Sequence, residues 1–168
     1  MNASASRMKH QDPRLEAARK RLRESVGQAD TFEAIREIVT NLLGCEEIGL
    51  FTLEQGKKHG HSRLLWSFGI DTERHATLES FEASALEQVL QGEFHVTRVA
   101  GENQNSHGHP PLRVFVPIRV TGRTVAVLVM LTLLPQKVGF NEEDLALVKL
   151  LSDETARALF DRRANAYA

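Results

Sequence analysis

The chain has 168 residues, 42% hydrophobic and 26% charged, a length that fits one compact domain with a real core and excludes two full domains. Lys and Arg number 21 against 22 Asp and Glu, so the formal charge of -1 gives no reason to expect nucleic acid or an anionic membrane as a partner. The single cysteine, Cys45, excludes an internal disulfide and a cysteine-based zinc site and fits a reducing compartment. No apolar run approaches the roughly 20 residues needed to span a bilayer, and the first six residues form no apolar signal region, so the expected location is cytoplasmic.

In chain order, residues 1–29 read as a tail followed by a helix. Pro13 opens that helix, and Leu15, Ala18, Leu22 and Val26 make a narrow apolar stripe on a charged surface. From Met1 to Glu24 there are seven basic residues against three acids, whereas Phe140 to Asp161 holds six acids against two basic residues. The basic segment has no aromatic interleaving and reads as a solvated helix face rather than a nucleic-acid arm. With a globular domain over residues 30–163 and a short tail at 164–168, the stripe has no obvious internal partner. The spacing therefore predicts a homodimer built from the Leu15/Leu22 helix and the last helix, with their opposite charges facing each other; the alternative is a monomer in which the first helix folds back onto its own last helix.

Asp30-Thr31-Phe32-Glu33 reads as an N-cap with an acid three residues on, and Phe32, Ile35, Ile38, Val39, Leu42 and Leu43 form a core-facing helix that stops at Gly44. Ile48–Leu53 and Leu64–Phe68 are strand-like and predict a hairpin across a polar loop. Leu78, Phe81, Ala85, Leu86, Val89 and Leu90 return to helical spacing until Gly92, and Phe94-His95-Val96 reads as a brief strand. Residues 100–111 are almost devoid of apolar side chains, which makes them loop, lid or linker. A second hairpin runs from Leu112 through a Thr121-Gly122 turn to Leu134, and its return arm is apolar on both faces, as a central strand must be. Pro117 suits an edge or a bulge. Asn141 caps a last helix, acidic in its first turn, that runs to about Arg163.

This order predicts an α+β fold, an antiparallel sheet sandwiched between helices in three layers. It resembles the GAF domain family over Asp30 to about Phe160. The resemblance is carried by the Thr31–Leu43 helix, the Ile48–Leu53 strand, Val114-Phe115-Val116-Pro117-Ile118 with Gly122 and the apolar run after it, and Phe140-Asn141-Glu142-Glu143-Asp144-Leu145. The PAS domain is the alternative fold. The resemblance implies a non-catalytic signalling module, either a small-molecule sensor or a dimerising regulatory adaptor with a signalling protein as partner.

Alternatives within the family meet particular residues. Cyclic-nucleotide-binding members carry an Asn-Lys, Phe, Asp-Glu pattern, and this chain has Gln136-Lys137, Phe140 and Asp144-Leu145 in its place, departing at two positions. Bilin-binding members need a reactive cysteine, commonly followed by His; Cys45 is followed by Glu46 and reads as a small buried thiol. The family's methionine sulfoxide reductases use several cysteines, a cycle that one cysteine does not complete. The pairs His59/His61 and His107/His109 are candidate metal ligands, and each pair also suits a solvated loop. His95 reads as a half-buried partner of a carbonyl and His75 as a surface residue. Trp66, Phe94, Arg113, Phe115 and Met130 are the candidate ligand lining, with His107 and His109 on the lid, and strand parity divides such a set between two faces. No cofactor is identified. The Gly-x-Ser-x-Gly, Walker, Gly-x-Gly-x-x-Gly and His-Glu-x-x-His motifs are all absent.

Overall fold

A strand apolar on both sides must be covered on both sides, and that requirement organises the molecule. The computed structural model describes residues 12–54, 61–98, 112–133 and 140–161. Its strands are β1 (Ile48–Leu53), β2 (Ser62–Phe68), β3 (His95–Arg98), β4 (Leu112–Val120) and β5 (Arg123–Met130). They form one antiparallel sheet in the order β2-β1-β5-β4-β3, with the two-faced β5 at its centre. Ala126, Leu128 and Met130 point to one core, Val127 and Val129 to the other.

Helices α1 (Pro13–Arg23), α2 (Gly27–Ile38) and α4 (Glu142–Thr155) cover the first face, and the short α3 (Ala83–Leu90) covers the second. This is the expected three-layer α+β arrangement. The β4–β5 turn also forms as expected: Thr121 and Gly122 both have positive φ, 49° and 78°, the backbone of a two-residue turn that keeps the strands twisting correctly. β3 pairs with β4 only as far as Phe115, so Pro117 lies on a free edge, one residue before a register shift at Ile118/Arg119. Its carbonyl accepts the Ser152 hydroxyl at 2.6 Å, which ties α4 to the sheet.

Several boundaries differ from expectation. α2 begins at Gly27, about one turn before Asp30, because the Asp30 carboxylate reaches back to the Val26 amide (2.8 Å) from inside the helix. Arg21 donates to that carboxylate and to Glu37, which lowers the Asp30 pKa and raises that of Arg21. α2 closes through a π-helical turn, Val39–Leu43, and a left-handed Gly44, the stop read from the sequence. α4 ends in a second π-helical turn, Ala156–Phe160, and Asp161 is already extended, short of the expected Arg163. Asn141 and Asp144 form a reciprocal capping box at its start. Asn141→Ala is expected to cost about 1 kcal/mol and lower Tm by a few degrees, measured by thermal unfolding.

Of the two arrangements open to α1, the single chain forms the folded-back one. Its stripe has a partner inside the chain: α1 packs on α4, Ala18 is 2% and Leu22 0% exposed, and both join the core of the first face. The opposite charges meet there too, in Arg14–Glu143 and Arg23–Glu154 pairs. The basic and acidic segments thus neutralise each other within one chain.

Candidate functional site

The second face of the sheet is where the chain departs from regular structure. After β2, Gly69 (φ 71°) turns the backbone so close to Glu46 that an added Cβ would sit 2.0 Å from its carbonyl oxygen. Asp71 then caps a turn by accepting from the Glu73 and Arg74 amides. Ser62 on β2 accepts from the Leu78 amide at 2.7 Å and donates to Glu79 at 2.9 Å, fixing a single 3₁₀ turn, Leu78–Ser80. The apolar spacing from Leu78 predicts one helix to Leu90, but Phe81 is extended (φ -96°, ψ 175°) and α3 starts only at Ala83. The break drops the Phe81 ring onto the sheet.

That ring is the centre of the site. It meets Phe51 and Phe115 edge-on at 5.9 and 5.5 Å, stacks on His75 at 4.6 Å, and has the Arg113 guanidinium over it at 5.9 Å. Ile70, Leu78, Ala85, Val89, Val127, Val129 and Leu131 complete the cluster. His75, expected on the surface, is 7% exposed; its stacking on Phe81 and the approach of its Nδ1 to the Ser80 hydroxyl (3.0 Å) hold it inside. At the rim, half-buried His95 lies 5.9 Å from Phe115 and bonds the Gln88 side-chain amide oxygen, matching the carbonyl partner expected of it.

Of the expected lining, Arg113 and Phe115 come together here. Trp66 and Met130 lie on the opposite face: Trp66 is in register with Leu50 and stacks on Phe32 of α2 at 5.2 Å, and Met130 is in register with Ile48 and fully buried under the helices. Phe94, ahead of β3, is 37% exposed. His59, His107 and His109 lie outside the described residues, as do Gln136 and Lys137, while His61 is exposed. No three His, Cys, Asp or Glu side chains group closely enough for a metal ion among the described residues. Phe51, Phe81 and His75 were not anticipated in this site. Alternation along β1 points to Phe51, but the helical spacing around Phe81 conceals the break that places it.

Elsewhere, Asp144 is spent on the α4 cap, next to a 44% exposed Leu145. A groove of about 320 Å³ between the β4–β5 turn and the end of α4 is lined by Arg119, Val120, Thr121, Asp153, Ala156, Arg157 and Asp161, but its arginines are engaged, Arg119 with the Gly122 carbonyl and Arg157 with Glu154. Cys45 is fully buried, its thiol 3.3 Å from the Glu47 carbonyl oxygen, and burial pushes its pKa up. It is expected to resist a water-soluble disulfide reagent in the native state and to react stoichiometrically on unfolding, as a chromogenic thiol assay would read.

The family model described as GAF domain matches residues 26–159, and the chain belongs to that family, whose members are typically sensory or regulatory modules. The fold is similar to the GAF domain of an Acinetobacter phosphoenolpyruvate-protein phosphotransferase, at 18% identity and TM-score 0.65 over 93% of this chain and 95% of that one. It is similar to the GAF domain of a putative sensor histidine kinase from Pseudomonas syringae pv. tomato, at 16% identity and TM-score 0.62 over 92% and 88% of the two chains. A type II free methionine-R-sulfoxide reductase from Thermoplasma acidophilum shares the fold at 19% identity and TM-score 0.55, over 85% and 92%. Among proteins of curated function none matches the chain in sequence. No helix among the described residues is long and apolar enough to cross a membrane.

Proposed function

We propose that the chain is a non-catalytic, cytoplasmic regulatory adaptor of the GAF family, acting through its surface on a signalling protein rather than by binding a small molecule between α3 and the sheet. The observation that carries this reading is Phe81. Its ring sits between α3 and the sheet, held by Phe51, Phe115, His75 and Arg113, and the three phenyl rings are each at most 7% exposed. A sensor site of ordinary size needs about 300 Å³ or more of space for its ligand. Among the described residues, aromatic side chains take up the space between α3 and the sheet, which supports an interaction module whose core is closed.

The non-catalytic part of the reading rests on Cys45. A thiol-based reductase cycle needs an accessible thiolate and a resolving partner, and the one thiol of this chain is fully buried with a raised pKa. That unpaired cysteine also supports a reducing compartment. A thermal-shift screen of nucleotides, divalent metals and small metabolites tests the adaptor reading. We expect no compound to raise Tm by more than about 1 °C. One compound raising it by several degrees in a saturable way would establish a sensor instead.

A further inference from the structure

The attachment of α1 differs in kind from that of the other helices on its face. Of its residues only Ala18 and Leu22 are buried, whereas α4 buries eight, among them Leu147, Val148, Leu150 and Leu151. Leu15 adds a partly buried contact to the same core, and the rest of the hold is charge. Arg14 pairs with Glu143, Arg23 with Glu154 at 3.1 Å, and Arg21 with Glu37 at 3.0 Å and Asp30 at 2.9 Å; in each pair the cation is on α1 and the carboxylate on α2 or α4.

Glu154 is the anchor. Its side chain is 8% exposed and accepts from Arg23 above it and from Arg157 on its own helix, while Arg23 and Arg14 are 58% and 48% exposed. Pairs with so exposed a partner are individually weak and are screened by salt. An eleven-residue helix is marginal by itself in water, so α1 exists as a helix only while it is docked. The connector, Glu24 to Val26, ends at a residue 84% exposed, and the family match begins at residue 26, just past α1.

We propose that α1 is a charge-tethered strap: it opens as a unit at the Glu24–Val26 connector while the sheet, α2 and α4 stay folded, and its opening uncovers Glu154 and the apolar side of α4. Such an element opens at a lower free energy than the whole domain, because its release exposes only the contacts of Leu15, Ala18 and Leu22 and leaves the sheet and its second core intact. Salt modulates how often it opens, since the ion pairs add to the apolar contacts of Leu15, Ala18 and Leu22.

Amide hydrogen exchange on the full chain tests this. The amides of residues 17–23 are expected to exchange at least about tenfold faster than those of residues 147–155. Raising NaCl from about 0.05 to about 0.5 M should speed the α1 amides several-fold and leave α4 unchanged. Arg14→Ala with Arg23→Ala should speed them further, by about 1.4- to 5-fold for each pair removed. The variant is well controlled: alanine favours helix, so weaker protection is not lost propensity, and Glu154 keeps Arg157 as its partner. Exchange of α1 and α4 at one common rate, moving together with salt, would overturn the strap. Faster exchange of α1 that ignores both salt and the two substitutions would overturn the charge tether.

Discussion

Phe81→Ala is expected to lower the unfolding free energy by about 3–5 kcal/mol, the usual cost of emptying a buried aromatic site, and Tm by about 10 °C. The ring is 7% exposed and has neighbours on every side: two edge-on phenyl rings, the imidazole of His75 and the Arg113 guanidinium. Its loss removes two aromatic pairs, each worth about 0.5–1.5 kcal/mol beyond burial, as well as the transfer free energy. Collapse cannot repair the gap, because Phe51 and Phe115 stand on β1 and β4, whose positions the sheet register holds. The gap is walled by the Phe51 and Phe115 rings, with the His75 imidazole and the Arg113 guanidinium where they faced Phe81, and a small aromatic guest restores those contacts. The variant should therefore regain part of its Tm with indole or benzene, whereas the unaltered chain should not respond. A loss below about 1 kcal/mol, or equal response of both proteins to the guest, would mean that the face is already open and that the adaptor reading fails.

The features legible in the sequence are those that a single periodicity decides. β5 alternates between two cores because it is apolar at every position, and its place at the sheet centre follows from that alone. Gly44, Asn141 and the Thr121-Gly122 turn were legible because helix ends and tight turns use few residue types. The candidate site was legible in half. Arg113 and Phe115 belong together, but Trp66 and Met130 are equally apolar and equally strand-like; only the register with Leu50 and Ile48 assigns them to the other face, and register is a long-range property. Phe81 was hidden for a different reason. Its spacing from Leu78 and Ala85 fits a helix, and the break before it depends on Ser62, which lies 16 residues from Leu78 in the chain and takes the Leu78 amide. His75 stands in a polar stretch and is buried only because Phe81 provides a face to stack on.

Leu22→Asp is expected to lower the midpoint in denaturant by less than Phe81→Ala does, because its cost is capped at the free energy that docks α1, without changing the mass of the protein in solution. The expected homodimer rested on an unpartnered Leu15/Leu22 stripe, yet Leu22 is 0% exposed in the single chain and its partner is the chain's own core. An aspartate there either pulls a charge out of water or forces α1 off α4. The second route limits the damage, because once the strap is released the body no longer carries the misplaced carboxylate. Phe81 has no such escape, since nothing can swing it clear of the sheet. The two variants therefore separate by mechanism: Phe81→Ala weakens protection throughout the domain, while Leu22→Asp strips it chiefly from residues 17–23. Sedimentation equilibrium at tens of micromolar should give a single species near 18.8 kDa for both the unaltered chain and Leu22→Asp. A species of twice that mass, reduced to the monomer by Leu22→Asp, would show that the stripe is shared between chains, and the packing of α1 on its own α4 would then have to be exchanged for packing on a partner's.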